Sequence, residues 1–352
     1  MVNKMSVTMK SYGNTKDGKE ATLYTLENKN GMQVTVTNYG VNIVNVIVPD
    51  KNGKKDDIVL GYETIDGYFD NGSYFGSTIG PSANRIANAS FMVDGVKCQL
   101  SMNDGTNNLH SHDDLGYHKV LWNAEVKGDN SVLFSIEDMD GNMGFPGNKK
   151  VEVTITLTDE NELKLAYHVA TDKNTLINMT NHSYFNLAGH DAAPIENHKL
   201  CIYSSAYTPV DERLIPTGEL PSVEGTPFDF REPHLVGERI NEENDQLKLG
   251  QGYDHNFVID NFDGSIRKVA EVSEETSGRS MEVYTDQPGI QFYAGNCIKP
   301  IGGKNGVTYG KRSGLALETQ VFPNSVNQEG FPNAIYGPDK DYEAVTIYKF
   351  SW

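Results

Sequence analysis

Apolar and polar positions alternate with a period of two along most of the chain. Gln33-Val34-Thr35-Val36-Thr37 alternates strictly and predicts a strand. Val41 to Pro49 and Asp57 to Gly61 flank the polar stretch Asp50 to Asp56, which contains Asn52-Gly53. Asn-Gly between two apolar runs predicts a hairpin, because both residues tolerate the left-handed backbone of a tight turn. Val151 to Leu157 alternates again, Thr158 to Asn161 turns, and Leu163 to Val169 returns. Tyr342 to Phe350 predicts a C-terminal strand. Helical periodicity is scarce: Thr64 to Tyr68 and Leu235 to Asn241 are each long enough for one short helix. Lys299 to Lys311, rich in Gly and Lys, reads as one long loop. No repeat and no linker divides the chain. The expectation is an all-β fold, a large antiparallel β-sandwich with a few short helices, forming one domain over residues 1–352.

A strand of an antiparallel sandwich should carry one apolar face, so polar residues on both faces mark a possible function. Five segments stand out. In Asn178 to Asn186, read as a strand, His182 shares a face with Thr180 and Tyr184, while Asn181 and Ser183 make the other face polar too. The plain alternative is a hydrogen-bonded corner with a satisfied histidine. In Gly314 to Phe322, Leu315, Leu317, Thr319 and Val321 form a core face and Ala316, Glu318 and Gln320 the opposite one. Glu318 then either lines a cleft or points to solvent. Asn108 to Asp114 carries His110 and His112, which on a strand would share one face as metal ligands do; a polar loop is the plain reading. Gly252 to Val258 carries Asp254, for which an Asx-turn is the plain reading. Phe75 to Ile86 carries Asn84 and Arg85, whose plain reading is a surface arginine.

Charge and composition narrow the partners. The formal charge is −18, from 30 basic and 48 acidic residues, which disfavours nucleic acid and anionic membranes. Cys98, Cys201 and Cys297 are odd in number and far apart. They read as buried free thiols in a reducing compartment. Met1 to Gly13 has no apolar leader core, and no run of 18 apolar residues occurs. A cytoplasmic protein, monomer or homodimer, is expected. Taken together, one carboxylate, several histidines, an aspartate and an arginine suit acid–base work on a polyol, with no dedicated metal or phosphate motif.

In this order along the chain, these segments resemble the aldose 1-epimerase (galactose mutarotase) family. Asn181-His182-Ser183-Tyr184-Phe185-Asn186-Leu187 is very similar to that family's signature. Gly80 to Ile86 is similar to its Gly-x-x-Ala-Asn-Arg-Ile segment. Asn108-Leu109-His110 with Gly116 to Trp122 is similar to its Leu-His-Gly-Gly and Gly-Phe-Asp-Lys segment. Gly144 to Gly147, Tyr207 to Asp211 with Ile215 to Gly218, Tyr253 to Phe257, Pro288 to Tyr293 and Leu317 to Gln320 complete the resemblance, which spans roughly residues 20 to 350. It departs at Ser111-His112, where the family has Gly-Gly, at Pro81-Ser82, and at His118, where the family has Asp. The glycine usual at His112 weakens a metal site there.

The resemblance implies a galactose mutarotase-like supersandwich that interconverts the α and β anomers of a free hexose, without cofactor or metal. It implies Glu318 as base at the C1 hydroxyl, His182 as acid at the ring oxygen, and His110 as a hydrogen-bonding partner near the reacting end. Asn84, Arg85, Asp254 and Gln291 would hold the sugar. Three rival readings are a sugar-phosphate epimerase of the same fold, which needs converging basic side chains, a non-catalytic sugar sensor, and a metal-dependent isomerase using His110 and His112.

Overall fold

The computed structural model describes residues 5–352; Met1 to Lys4, the start of the segment read for a leader, lie outside the described residues. Where alternation is cleanest, the strands are longest. Lys149–Leu157 and Glu162–Thr171 form a hairpin whose register pairs Val151 with Val169, Val153 with Tyr167 and Leu157 with Leu163. Their apolar residues are buried while the intervening ones stay half-exposed, as a one-sided strand requires. The C-terminal strand Tyr342–Ser351 pairs with Glu162–Thr171 on one side and Ser280–Thr285 on the other. This makes it a central strand of a nine-stranded antiparallel sheet.

A five-stranded meander, Ser6–Asn14 to Lys55–Asp57, contains the predicted Asn52-Gly53 hairpin. Asp50 Oδ1 accepts from the N–H groups of Asn52 and Lys54, and Gly53 takes φ +83°. The returning strand, Lys55–Asp57, falls earlier than the apolar run Asp57 to Gly61 suggested and shares only Asp57 with it. The meander packs against the large sheet, with Tyr24 edge-on to Phe134 at 5.6 Å.

A four-stranded sheet forms the second layer: Ala206–Tyr207, Asp254–Val258, Gly289–Tyr293 and Ala316–Gln320, in that order. It lies over the inner face of the C-terminal strand. Tyr348 donates its hydroxyl to the Leu317 carbonyl at 2.9 Å, and the Thr319 and Thr346 hydroxyls are 2.5 Å apart. One continuous apolar cluster runs from Tyr24 to Phe350 and ties the layers together. The all-β sandwich is therefore as expected, with short helices at Ile65–Phe69 and Val236–Arg239.

Three readings change. The stretch 299–311 is not an open loop: Ile301–Gly302 and Thr308–Tyr309 pair as a ribbon, anchored by Lys304. The Lys304 ammonium is buried and donates to the Val44 and Val59 carbonyls and to Asp57. A third helix, Asp245–Gly250, begins at Asn244, whose Oδ1 accepts from Gln246 and Leu247 N–H. It was not anticipated from the sequence. All three cysteines are free, but Cys297 is exposed rather than buried. Among the described residues no helix is long and apolar enough to cross a membrane.

Candidate active site

The four-stranded sheet explains why its sequence violates simple alternation. Register pairs Asp254 with Tyr293, Asn256 with Gln291, and Gln291 with Glu318. Paired residues share a face, so Asp254, Asn256, Gln291, Tyr293, Glu318 and Gln320 all lie on one side. Ile290, Phe292, Leu317 and Thr319 lie on the other and face the core. All five residues of Ala316–Gln320 are buried. The sheet thus has one apolar face against the large sheet and one polar face that other segments cover. Glu318 does not point to solvent; at 2% exposure it lies on the floor of a cleft.

The cleft is closed from the side by the paired segments Arg85–Ile86 and Asn108–Leu109. Arg85 is not a free surface residue. Its side chain is 13% exposed, its Nε donates to Asp104 Oδ2 at 2.7 Å, and its Nη1 lies 3.9 Å from Asp254 Oδ2. Asp254 makes no Asx-turn. It sits in a strand and accepts from Gln291 Nε2 at 2.7 Å. Gln291 in turn accepts from Gln320 at 3.3 Å, so it orients the Asp254 carboxylate from the same polar face of the sheet. Burial pushes the Asp254 carboxyl up, while Arg85 and the Gln291 hydrogen bond pull it back.

His110 lies just past its strand with φ +51°, a turn that aims the ring into the cleft. His112 does not join it. Beyond the strand, His110 and Ser111 both take left-handed backbone, and His112 Nδ1 instead accepts from the N–H groups of Asp114 and Leu115. The N–H of Asn84 donates to His110 Nδ1 at 3.1 Å. A ring nitrogen that accepts carries no proton, so the neutral His110 holds its proton on Nε2. Asn84 itself lines the cleft in the left-handed region at φ +61°, its Oδ1 accepting from Arg85 N–H. The departure at Ser111 is explained here. Its hydroxyl accepts from Ser82 N–H and donates to the Ser82 carbonyl, both at 2.9 Å, joining the loop of Asn84 to the loop of His110.

His182 is the last residue of the short strand Thr180–His182, which pairs with Ser77–Ile79. Its neighbours show why this segment is polar on both faces. Asn178 bonds both N–H and carbonyl of Val321, Thr180 donates to the Thr319 carbonyl, and Asn181 donates to the Gly76 carbonyl. These side chains hold a strand that has few ladder bonds of its own. His182 Nε2 lies 3.5 Å from Glu318 Oε1, with both residues almost fully buried. His182 Nδ1 and Glu318 Oε2 have no hydrogen-bond partner among the described residues. Burial pushes Glu318 well above the usual carboxylate range, with the nearby Asp254 charge adding to it. Burial pushes His182 down to about 4, and burial together with the neighbouring His182 and Arg85 charges holds His110 well below the usual imidazole range.

His110, His182 and Glu318 place donor atoms within 4.8 Å of one another, a span compatible with a metal. The chemistry of the set does not fit one. His110 Nδ1 is occupied by Asn84 N–H, so its Nε2 carries a proton and donates where a ligand must offer a lone pair. Sequence reasoning missed the aromatic walls of the cleft, Tyr74, Tyr184 and Tyr293. Tyr184 and Tyr293 were inside segments already singled out; Tyr74 carried no signal of its own.

Comparison with known proteins agrees with this geometry. The family model for aldose 1-epimerase matches residues 22–349. The galactose mutarotase of Bos taurus is 43% identical over 91% of both chains. The aldose 1-epimerase of Escherichia coli K12 is 36% identical over 95% of this chain and 96% of its own. Among solved structures, galactose 1-epimerase from Lactobacillus acidophilus superposes with a TM-score of 0.86 at 29% identity, over 99% of both chains. An aldose epimerase homologue from C. elegans does so with 0.85 at 28% identity, again over 99% of both. The chain belongs to the aldose 1-epimerase family and is a mutarotase, an isomerase acting on carbohydrates.

Proposed function

We propose that the cleft interconverts the α and β anomers of free galactose and glucose. The observation that carries this reading is the buried Glu318–His182 pair, open to a polar cleft, with one unpartnered atom on each residue. Glu318 takes the C1 hydroxyl proton while His182 gives one to the ring oxygen, and the ring opens to an aldehyde. The C1–C2 bond rotates, and the same transfers run backwards to close the other face. Burial opposes the charged form of both groups, so the raised carboxyl is a stronger proton acceptor once ionised and the lowered imidazole a stronger proton donor once charged. Each positioned group contributes about 10²–10⁴-fold.

His110, with its proton on Nε2, donates to the oxygen on which charge develops. Arg85, Asn84, Asp254 and Gln291 hold hydroxyls away from C1, and Gln291 also holds Asp254 in place. The phosphorylated-sugar alternative fits poorly. Arg85 is the one lysine or arginine among the residues lining the cleft, Asp104 already binds it, and Asp254 and Glu318 would repel a phosphate. A sensor would have no need of the Glu318–His182 pair. We read residues 1–352 as one domain because a single apolar cluster joins its two ends, and the free thiols support a cytoplasmic setting.

Polarimetry on freshly dissolved α-D-galactose and α-D-glucose tests the proposal. The protein should speed the approach to anomeric equilibrium, and the ratio of rates gives its preference. No acceleration with either sugar would overturn it.

A further inference from the structure

Tyr74 belongs to none of the segments that carried chemistry in the sequence, yet it occupies the centre of the histidine group. Its ring centroid lies 4.7 Å from His110, 5.0 Å from His118 and 5.8 Å from His182. It does so from the left-handed region, φ +59°, a conformation costly for a bulky side chain. The surrounding loop enforces that conformation. Asn71 Oδ1 accepts from Phe75 N–H, Asn71 Nδ2 donates to the Phe75 carbonyl and Ser77 Oγ, and Ser77 N–H donates to the Tyr74 carbonyl. The loop is also fastened to the His182 strand: Gly76 N–H donates to the His182 carbonyl at 3.1 Å, and Asn181 Nδ2 to the Gly76 carbonyl at 3.0 Å. Strain held in place by this many bonds beside a reacting pair is a mark of function.

We propose that Tyr74 is a positioning residue whose ring, wedged among the three imidazoles, fixes His110 and His182 and keeps water from the His182–Glu318 pair. The proposal rests on the acid–base reading above. Around His182, Glu318 lies across the cleft, and the rings of Tyr184 and Tyr293 lie at 4.9 Å and 6.3 Å. His110 stands at 5.3 Å, and Arg85 and Asp254 complete the charged groups of the cleft. With the sugar filling the cleft and protein on its remaining sides, the side of His182 facing Tyr74 is the one a smaller residue would open to water.

Water at the pair stabilises the charged form of each group. His182 would then take up its extra proton at higher pH, and Glu318 would lose its proton at lower pH. Loss of the ring should therefore narrow the pH–kcat bell from both sides. Polarimetric kcat, KM and pH profiles of wild type, Tyr74→Phe and Tyr74→Ala test this. Phe keeps the ring and should keep a kcat and a bell close to wild type. Ala should lose about 10²-fold in kcat, the scale of a small misplacement, with KM little changed and a narrowed bell. An Ala profile that is lower but equally wide, or a Phe variant as impaired as Ala, would overturn the proposal. Should circular dichroism show the Ala variant unfolded, Tyr74→Leu is judged by the same two criteria. An inactive wild type would bring down the acid–base reading and this proposal together, whereas an active wild type with an unnarrowed variant sinks only the role of Tyr74.

Discussion

The hairpin 149–171 and the strand Ala316–Gln320 both descend from alternating sequence, but they alternate for different reasons. In the hairpin, every second residue enters the core and the rest meet water. In Ala316–Gln320 both faces are buried, one against the large sheet and one beneath the segments that roof the cleft. The hairpin gains its stability from burial of apolar area. The site strand buries a carboxyl whose charged form its surroundings oppose. Stability and activity should thus respond oppositely to substitution in the two regions.

The largest effect is expected at Glu318. Glu318→Gln should lower kcat by about 10³-fold or more, within the range of a lost acid or base. Steady-state polarimetry reads this, and activity near the parent level would remove Glu318 from the base role. The same variant should unfold at higher denaturant. The Glu318 pKa is raised on folding, so its ionisation in the unfolded chain weakens the fold above the ordinary carboxyl pKa. Below that pH the carboxyl is protonated in both states and the difference should vanish. A gain of about 1 kcal/mol near neutral pH is the usual size for such substitutions. A variant less stable at pH 7 than at pH 4, relative to wild type, would contradict the sign.

Arg85→Ala comes next. It should raise KM by about 10–100-fold, the scale of one or two charge-assisted hydrogen bonds, and affect kcat less. A large fall in kcat at unchanged KM would assign Arg85 to the chemistry instead. In the hairpin, Leu165→Ala should cost about 2–5 kcal/mol in denaturant unfolding and leave kcat per folded molecule unchanged. The smallest difference concerns Ser111, held at φ +71° by two hydrogen bonds. Ser111→Ala loses both bonds and keeps the strain, costing about 1–3 kcal/mol. Ser111→Gly loses the bonds but relieves about 1 kcal/mol of strain, so it should be the milder of the two. Thermal unfolding of the pair decides it.

The same contrast explains what could be read in advance. Period-two alternation sufficed for 149–171 and for the C-terminal strand, because burial on one face imposes it. Glu318, His182, Asp254 and Arg85 were visible as polar residues where apolar ones were due, but their convergence depends on pairings distant in sequence, such as Gln291 with Glu318. The resemblance to a known family supplied that convergence, and alternation did not. Tyr74 stayed hidden because its importance lies in a left-handed φ and three ring contacts, neither of which leaves a periodic trace. Gln291 was assigned to the sugar, and its hydrogen bond to Asp254 could not be read from the sequence, because the pairing of their strands is distant along the chain. The helix after Asn244 was missed although it is longer than the two helices anticipated, and the ribbon carrying Lys304 was missed because its two-residue strands are too short to show alternation.

The 3.5 Å gap between His182 and Glu318 has one more consequence. On the proposed roles, ring opening moves one proton to Glu318 and takes one from His182, and ring closure returns both. The pair therefore ends each turnover in the state in which it began. Nothing has to be restocked from solvent, so the rate should be indifferent to buffer concentration, and the enzyme resets itself with its product still in place.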